Sequence, residues 1–261
     1  MAQKRKKRML AALALALLLP GCTDSSTVST QQAVPTNAYR AEAFYTQDGF
    51  MRYADAEYRV GIDVSTHQGL IDWQQVAAAG VQFAILRAGY RGATVGELYE
   101  DEQFRYNLEQ ARAAGLQIGV YFFSQARDEA EAREEAEYVC TLLRGERLDL
   151  PVFFDWETVD GSERVSHPSE IDMTACAIAF CETVEARGFD AGVYFNQTYG
   201  NHYLELAKLQ DYMLWLAEYN DTPGFAYTFD CLQYTDSGTV AGIEGSVDLD
   251  LLILNDGGGT Q

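Results

Sequence analysis

The chain has 261 residues, 48% of them hydrophobic, and carries 19 Lys+Arg against 39 Asp+Glu for a formal charge of -20. Such a charge repels nucleic-acid phosphates and anionic lipid surfaces, and no Lys/Arg cluster beyond the first few residues offers a basic footprint, which excludes nucleic-acid binding. Once a leader is subtracted, the length suits one sizeable core and therefore one domain of catalytic size.

The leader begins with a basic stretch from Lys4 to Arg8, continues as an apolar run from Met9 to Leu19, and ends in Gly21 and Cys22. This order is that of a bacterial export signal over residues 1–21. The 11-residue apolar run falls short of the roughly 20 residues that span a bilayer as a helix. Leu19, Gly21 and Cys22 resemble a lipobox, with Pro20 where a small residue is usual, and the resemblance implies lipidation of Cys22 and a membrane anchor. Simple cleavage with Cys22 unmodified and an uncleaved signal anchor are the alternatives, and all three place the domain outside the cytoplasm. Removing the leader's basic residues takes Lys+Arg from 19 to 14 and the charge from -20 to -25.

From Thr23 to about Tyr58 the chain is rich in Ser, Thr, Gln and Ala with little periodicity, which predicts a flexible linker over residues 22–58. The globular domain is expected over 59–254, with a flexible tail at 255–261. Within it β-type runs alternate with helical stretches: VGIDVS then IDWQQVAAAG, QFAILRAGY then EDEQFRYNLEQARAAG, QIGVYFFS then DEAEAREEAEYVCTLLRG, LPVFFDWE then SEIDMTACAIAFCETVEARG, and DAGVYF before a shorter helix. Gly80, Gly115, Gly145 and Gly188 stand where helices should stop. Nearly continuous apolar strands predict a sheet covered on both faces. After Tyr203 come closely spaced strand-like segments, YMLWLAEY, FDCLQYT and VDLDLLIL. The fold class expected is α/β, an irregular TIM-like (β/α) barrel of mostly parallel strands, with helices shortened or missing in the C-terminal part.

Cys140, Cys176, Cys181 and Cys231 lack CxxC spacing and fall in segments that read as buried, so zinc binding is not expected. Four cysteines allow three disulfide pairings, and buried free thiols are the competing state. His167 and His202 have no spaced partners from which a metal site could be built, and no cofactor is implied. The run DEAEAREEAE reads as the solvated face of an exterior helix.

In parallel α/β barrels functional groups gather at the C-terminal strand ends. Asp155 and Glu157 end LPVFFDWE two residues apart and so share a face, with Phe154 and Trp156 opposite. Adjacent carboxylates in one mouth raise each other's proton affinity and can supply the proton donor and partner carboxylate that glycosidic cleavage requires. By itself a DxE is more often a pair of solvated loop charges. Asp63, in GIDVSTHQG, and Asp248, in GSVDLDLL, could reach the same mouth, or could respectively cap a turn and flank a strand.

GIDVSTHQGLIDW, FAILRAGYRG, Asp101 with Phe104 and Asn107, AGLQIGVYFFS, LPVFFDWE, GVYFN, LWLAEY and LQYTDSGTVAGIEGSVDLD follow one another over residues 59 to 254. In this order they resemble the family 25 glycoside hydrolases. The resemblance implies a lysozyme that cuts the β-1,4 bond after N-acetylmuramic acid in peptidoglycan on an irregular β/α barrel. It also implies Glu157 as general acid, Asp155 as its partner, and Asp63 and Asp248 completing the acidic cluster. Asp155 could orient the substrate's acetamido group for attack or activate water, giving retention or inversion respectively. Many members carry histidine where this chain has Phe122 or Phe123.

Tyr90, Tyr121, Tyr194, Trp215, Tyr219 and Tyr234 near the expected mouth could stack on sugar, with Asn196 and Gln233 hydrogen-bonding acetamido groups. About half of these aromatics should instead fill the core, Tyr121 and Tyr194 being the preferred sugar contacts. His67 is expected to brace the loop after Asp63. The partner expected is peptidoglycan glycan, with the protein a monomer. A non-catalytic glycan-binding module on the same scaffold is the competing function.

Overall fold

A computed structural model describes residues 33–254 apart from Glu163. The export signal, Cys22 and the tail at 255–261 lie outside the described residues.

The chain opens with a hairpin, β1 (Phe44–Gln47) and β2 (Phe50–Tyr53), and then enters the barrel as β3 (Glu57–Val64). Helix α1 (Trp73–Ala78) leads to β4 (Phe83–Arg91) and the short β5 (Leu98–Glu100), and α2 (Phe104–Ala113) leads to β6 (Gln117–Ser124). Next come α3 (Glu129–Leu142), β7 (Val152–Trp156), α4 (Met173–Ala186), β8 (Ala191–Asn196) and the short α5 (Gln197–His202). The chain finishes with β9 (Met213–Ala217), β10 (Cys231–Gly238) and β11 (Val247–Leu254). Helices α1, α3 and α4 begin on Asp72, Asp128 and Asp172, whose carboxylates accept from backbone N–H groups of the first turn. Helix α2 stops before Gly115, which takes a φ of 86° that a side chain would resist.

Strands β3, β11, β10, β9, β8, β7, β6 and β4 neighbour one another in that order, and β3 pairs with β4 to close the barrel, while β5 adds to β4 outside the ring. Every pair from β3 through β4 and β6 to β10 is parallel, and β11 is antiparallel to both neighbours. This follows from connection length. Only residues 239–246 join β10 to β11, too few for the crossover that a parallel pair requires. The expected mostly parallel barrel with a helix-poor C-terminal part is thus present. Its reversed last strand has a consequence for the site: the start of β11 lies at the end where the parallel strands finish, and Asp248 stands opposite Asp63.

The barrel interior is filled by Phe83, Ile85, Phe153, Trp215, Cys231 and Leu252 among others. Large rings fit because small residues face them. A Cβ on Gly61 would come within 2.2 Å of the Phe83 ring, and one on Gly192 within 2.5 Å of Phe153.

The linker expected over residues 22–58 is corrected in its second half. Phe44, Phe50, Met51 and Tyr53 are buried in the outer core, and β2 packs on β3 and β11. Tyr39 donates its hydroxyl to Phe229 O at 2.8 Å, Met51 N donates to Tyr234 Oη at 3.1 Å, and Thr36 bridges to Tyr227. No helix separates β9, β10 and β11 among the described residues. The hairpin therefore supplies the outer layer that missing helices leave open.

Cys140, Cys176, Cys181 and Cys231 are buried free thiols. Burial raises each thiol's proton affinity, to a pKa of about 11 at Cys140 and about 12 at Cys176, which keeps them unreactive.

Candidate active site

Along β7 the alternation expected from sequence holds: Phe153 packs inside the barrel, whereas Val152, Phe154 and Trp156 join the outer core. Asp155 and Glu157 consequently line a cleft of about 710 Å³ at the C-terminal strand ends, together with Asp63 and Asp248. Tyr90, Tyr121, Tyr194, Trp215, Tyr219 and Gln233 border the same cleft. Asn196 does not. It lines a smaller hollow shared with Glu157, Tyr194 and Tyr219, and its Oδ1 accepts from Tyr199 N at 3.1 Å to cap α5.

The acidic groups sit at different depths. Asp63 and Asp155 are buried and Glu157 is partly exposed. Burial raises the proton affinity of all three. For Asp63 the charges of Asp250 and Asp248 add to the rise, and for Asp155 that of Glu157 does, with Arg87 opposing it. For Glu157 burial comes first, a hydrogen bond with Tyr194 opposes it, and Asp248 adds to it. Asp248 is pushed up to about 6 by burial and by Asp236. Asp155 Oδ1 is buried and has no hydrogen-bond partner among the described residues, which leaves an acceptor for a donor on a ligand.

Two of the cleft-lining side chains also hold neighbouring groups in place. Trp215 is 1% exposed, forms the floor beneath Tyr121 and Tyr194, and donates Nε1 to Asp250 Oδ1 at 2.9 Å. Gln233 donates Nε2 to Asp63 Oδ2 at 2.6 Å and accepts from Tyr194 and Tyr219 at 3.0 and 2.8 Å, so its amide is engaged on both sides. Tyr219, in contrast, is 51% exposed at the rim. Tyr90 stacks on Tyr99 and lies under the Arg87 guanidinium. Tyr234 lines neither hollow. Phe123 is the third-strand residue that lines the cleft, while Phe122 is buried in the outer core against Tyr138. The loop after β3 is held by a capping box between Ser65 and Gln68 and by Asp101 Oδ2, which accepts from Thr66 N; His67 lines the cleft.

Three functional side chains escaped the sequence reading. Asp250 is fully buried, accepts from Trp215 Nε1, and its charge adds to the raised proton affinity of Asp63. It was findable, since Asp248 and Asp250 alternate along β11 as Asp155 and Glu157 do along β7. Glu218 accepts from Asn220 Nδ2, Gly224 N and Phe225 N, which fastens the loop carrying Tyr219. Glu135, inside the charged run, is wholly buried. It takes hydrogen bonds from Arg91 Nε at 2.7 Å, Ser124 Oγ at 2.5 Å and Gln125 N at 3.3 Å, and Gln125 Nε2 donates in turn to the Glu157 carbonyl. The end of β7 is thereby tied to α3.

Burial lifts Glu135 to about 7. A carboxyl whose folded pKa exceeds its unfolded value makes the native state bind more protons, so its stabilising effect is full below the unfolded pKa and lost as pH rises through the folded one. Asp248 and Glu135 place that loss between about pH 5 and 8. Glu131, lowered to about 2 by Arg127 and Arg164 despite burial, has the opposite sign but stays constant across this window. The melting temperature is expected to fall by a few degrees from pH 5 to pH 8, measured by circular dichroism at constant ionic strength; a flat or rising profile would contradict the burial of these carboxyls.

A barrel mouth with paired carboxyls on one strand, further acids opposite and tyrosines along the rim defines a glycoside-hydrolase class of site. The model of the glycosyl hydrolases family 25 matches residues 62–243, and the chain belongs to that family. It is 32% identical over 194 residues to the autolytic lysozyme of Clostridium acetobutylicum, covering 73% of this chain and 54% of that one. It is 28% identical over 208 residues to lysozyme M1 of Streptomyces globisporus, covering 75% and 68%. Among solved structures, the modular autolysin LytC of Streptococcus pneumoniae, in complex with a synthetic peptidoglycan ligand, shares the fold with a TM-score of 0.67 at 24% identity, over 80% of this chain and 52% of LytC. The bacterial lysozyme of Streptomyces coelicolor superposes with a TM-score of 0.60 at 25% identity, over 75% and 92%. The chain spans about half the length of the Clostridium relative and of LytC.

Proposed function

We propose that the protein is a muramidase, which hydrolyses the β-1,4 bond between N-acetylmuramic acid and N-acetylglucosamine in peptidoglycan. Glu157 acts as general acid, Asp155 is its partner, and Asp63 and Asp248 shape the field around them. The observation that carries this reading is the cleft itself: Asp155 and Glu157 on one strand face, both with raised proton affinity, beside a buried Asp155 oxygen without a partner among the described residues. Membership of family 25 and the two lysozyme-named relatives support the substrate.

Asp155 and Glu157 leave one strand on the same side, so they meet the sugar from one direction. An inverting pair stands on opposite faces of the ring, roughly 6.5–9.5 Å apart with a water between. Same-side placement supports attack by the substrate's own acetamido oxygen, with the Asp155 carboxylate accepting the acetamido N–H and Glu157 protonating the leaving oxygen. Water then opens the cyclic intermediate with retention. Tyr121, Tyr194 and Tyr219 offer rings to the sugar faces. The export signal and the Cys22 lipobox support an exported lipoprotein facing the wall, held by residues between Cys22 and the first packed segment.

The test is digestion of purified peptidoglycan, with borohydride reduction and mass spectrometry of the new ends. Reduced muramic acid is the expected product. Reduced glucosamine ends would reassign the cleaved bond, and no products over a range of pH would favour a glycan-binding module.

A further inference from the structure

Phe83 and Ile85 of β4 point into the barrel, and the next inward position, at the mouth, holds Arg87. One edge of its guanidinium is fixed: Nε donates to Asp101 Oδ2 at 2.8 Å, and the same carboxylate accepts from Thr66 N and Gln103 N. One face is fixed as well, since the guanidinium carbon lies 5.3 Å from the centre of the Tyr90 ring. Nη1 and Nη2 have no hydrogen-bond partner among the described residues, although the side chain is only 11% exposed. Arg91 lines the same cleft with its nitrogens committed: Nε donates to Glu135, Nη1 to Gly96 O, and Nη2 to Glu131 O and Glu134. Among the described residues no lysine lines the cleft.

Arg87 therefore presents two oriented N–H-bearing nitrogens to a cleft whose other walls carry Asp63, Glu102, Asp155, Glu157 and Asp248. An anionic group entering there is repelled by the acids, and Arg87 offers it an uncommitted fork whose geometry matches a carboxylate. The charge of Arg87 is felt at Asp155, where it opposes the rise in proton affinity caused by burial and by Glu157. Muramic acid differs from glucosamine by a lactyl ether on O3, one carbon away from the acetamido group assigned above to Asp155. Only β6 stands between β4 and β7, which separates them by about 10 Å, a span that a sugar ring and its O3 arm fill.

We propose that Arg87 is the specificity-determining residue of the cleft: its two terminal nitrogens bind a carboxylate on the O3 arm of muramic acid, an arm that glucosamine lacks. The proposal rests on the muramidase reading for where the sugar lies. On a bare strand the carboxylate is the lactyl group's own. On a peptide-bearing strand the lactyl carboxyl is an amide, and the carboxylate is one of the stem peptide's. Asp101 and Tyr90 hold the guanidinium still, so little ordering is left for the ligand to impose.

The experiment measures dissociation constants by calorimetry in a Glu157→Gln background, so that strands bind without being cut. The probes are soluble peptide-free and peptide-bearing glycan strands, each with its carboxylates free or converted to neutral methylamides by carbodiimide coupling. Free carboxylates are expected to strengthen binding roughly 10- to 100-fold, the worth of charge-assisted hydrogen bonds. Adding Arg87→Gln should abolish this preference and leave the methylamides bound as before, whereas Arg87→Lys, which keeps the charge but not the fork, should retain part of it. A preference seen with peptide-free strands assigns the carboxylate to the lactyl group, and one confined to peptide-bearing strands assigns it to the stem. Equal affinity for the free and methylamide forms of both strands, or binding of neither, overturns the proposal even where Arg87→Gln does not fold. So does an equal loss on every probe in Arg87→Gln, which would reduce Arg87 to a structural partner of Asp101. Hydrolysis by the parent is measured separately: its absence would defeat the muramidase reading, while the affinities still decide whether Arg87 takes the carboxylate.

Discussion

Glu157→Gln is expected to lower peptidoglycan hydrolysis by roughly 10²- to 10⁴-fold, the usual contribution of a positioned general acid, with glycan binding and melting temperature preserved. The amide keeps the volume of the acid and its hydrogen-bonding capacity toward Tyr194, but cannot deliver a proton to the leaving oxygen. Burial penalises the ionised Glu157, so a neutral replacement imposes no cost on the fold. In the parent, activity is expected to decline on the alkaline side as Glu157 loses its proton, and this limb should vanish from the residual activity of Glu157→Gln. Asp155→Asn should also lose turnover, since an amide accepts the acetamido N–H less strongly than a carboxylate does. Reducing-end release across a pH series, paired with sedimentation of the protein on insoluble peptidoglycan, separates the two functions. Parental turnover in Glu157→Gln would remove Glu157 from the acid's role.

Much of this site was legible because strand periodicity is a local property. Two residues apart on a strand means one face, and Phe153 and Asp155 inside with Phe154 and Trp156 outside follow from it. Direction is not local. Nothing in the alternation of VDLDLL says which way the strand runs, yet the antiparallel setting of β11 is what carries Asp248 from a strand start to the mouth. Burial of polar side chains is equally invisible to composition. DEAEAREEAE has the makeup of a solvated helix, and most of it is one, but the helical turn that points Ala132 and Ala136 inward also carries Glu135 into the core toward Arg91. The engagement of Gln233 depended on three strands meeting, so the same amide that read as a substrate donor is committed to Asp63 and two phenols.

A protein cut to begin at Arg59, where the sequence pattern first becomes regular, is expected to lose cooperative folding, whereas one beginning at Ala33 should retain it. The reason lies in the C-terminal half of the barrel. A strand needs cover on both faces, and among the described residues no helix separates β9, β10 and β11; the hairpin of β1 and β2 packs there, on β11 and β3. Burial of Phe44, Phe50, Met51 and Tyr53 contributes about 1.5–3 kcal/mol each, a sum comparable with the whole net stability of about 5–15 kcal/mol for a domain. Removal also strips the polar ties from Tyr39 to Phe229 and from Met51 to Tyr234. The signal for this hairpin was in the sequence: Asp48-Gly49 adopts φ of 55° and 83°, the left-handed pair that an Asp-Gly turn between two strands favours. It was masked by the Ser-, Thr- and Gln-rich composition of the run before it. Urea unfolding followed by tryptophan fluorescence should give a single sigmoidal transition for residues 33–261 and a non-cooperative slope for residues 59–261. Equal midpoints would show that the barrel closes its own outer face and that the hairpin is an ornament on it.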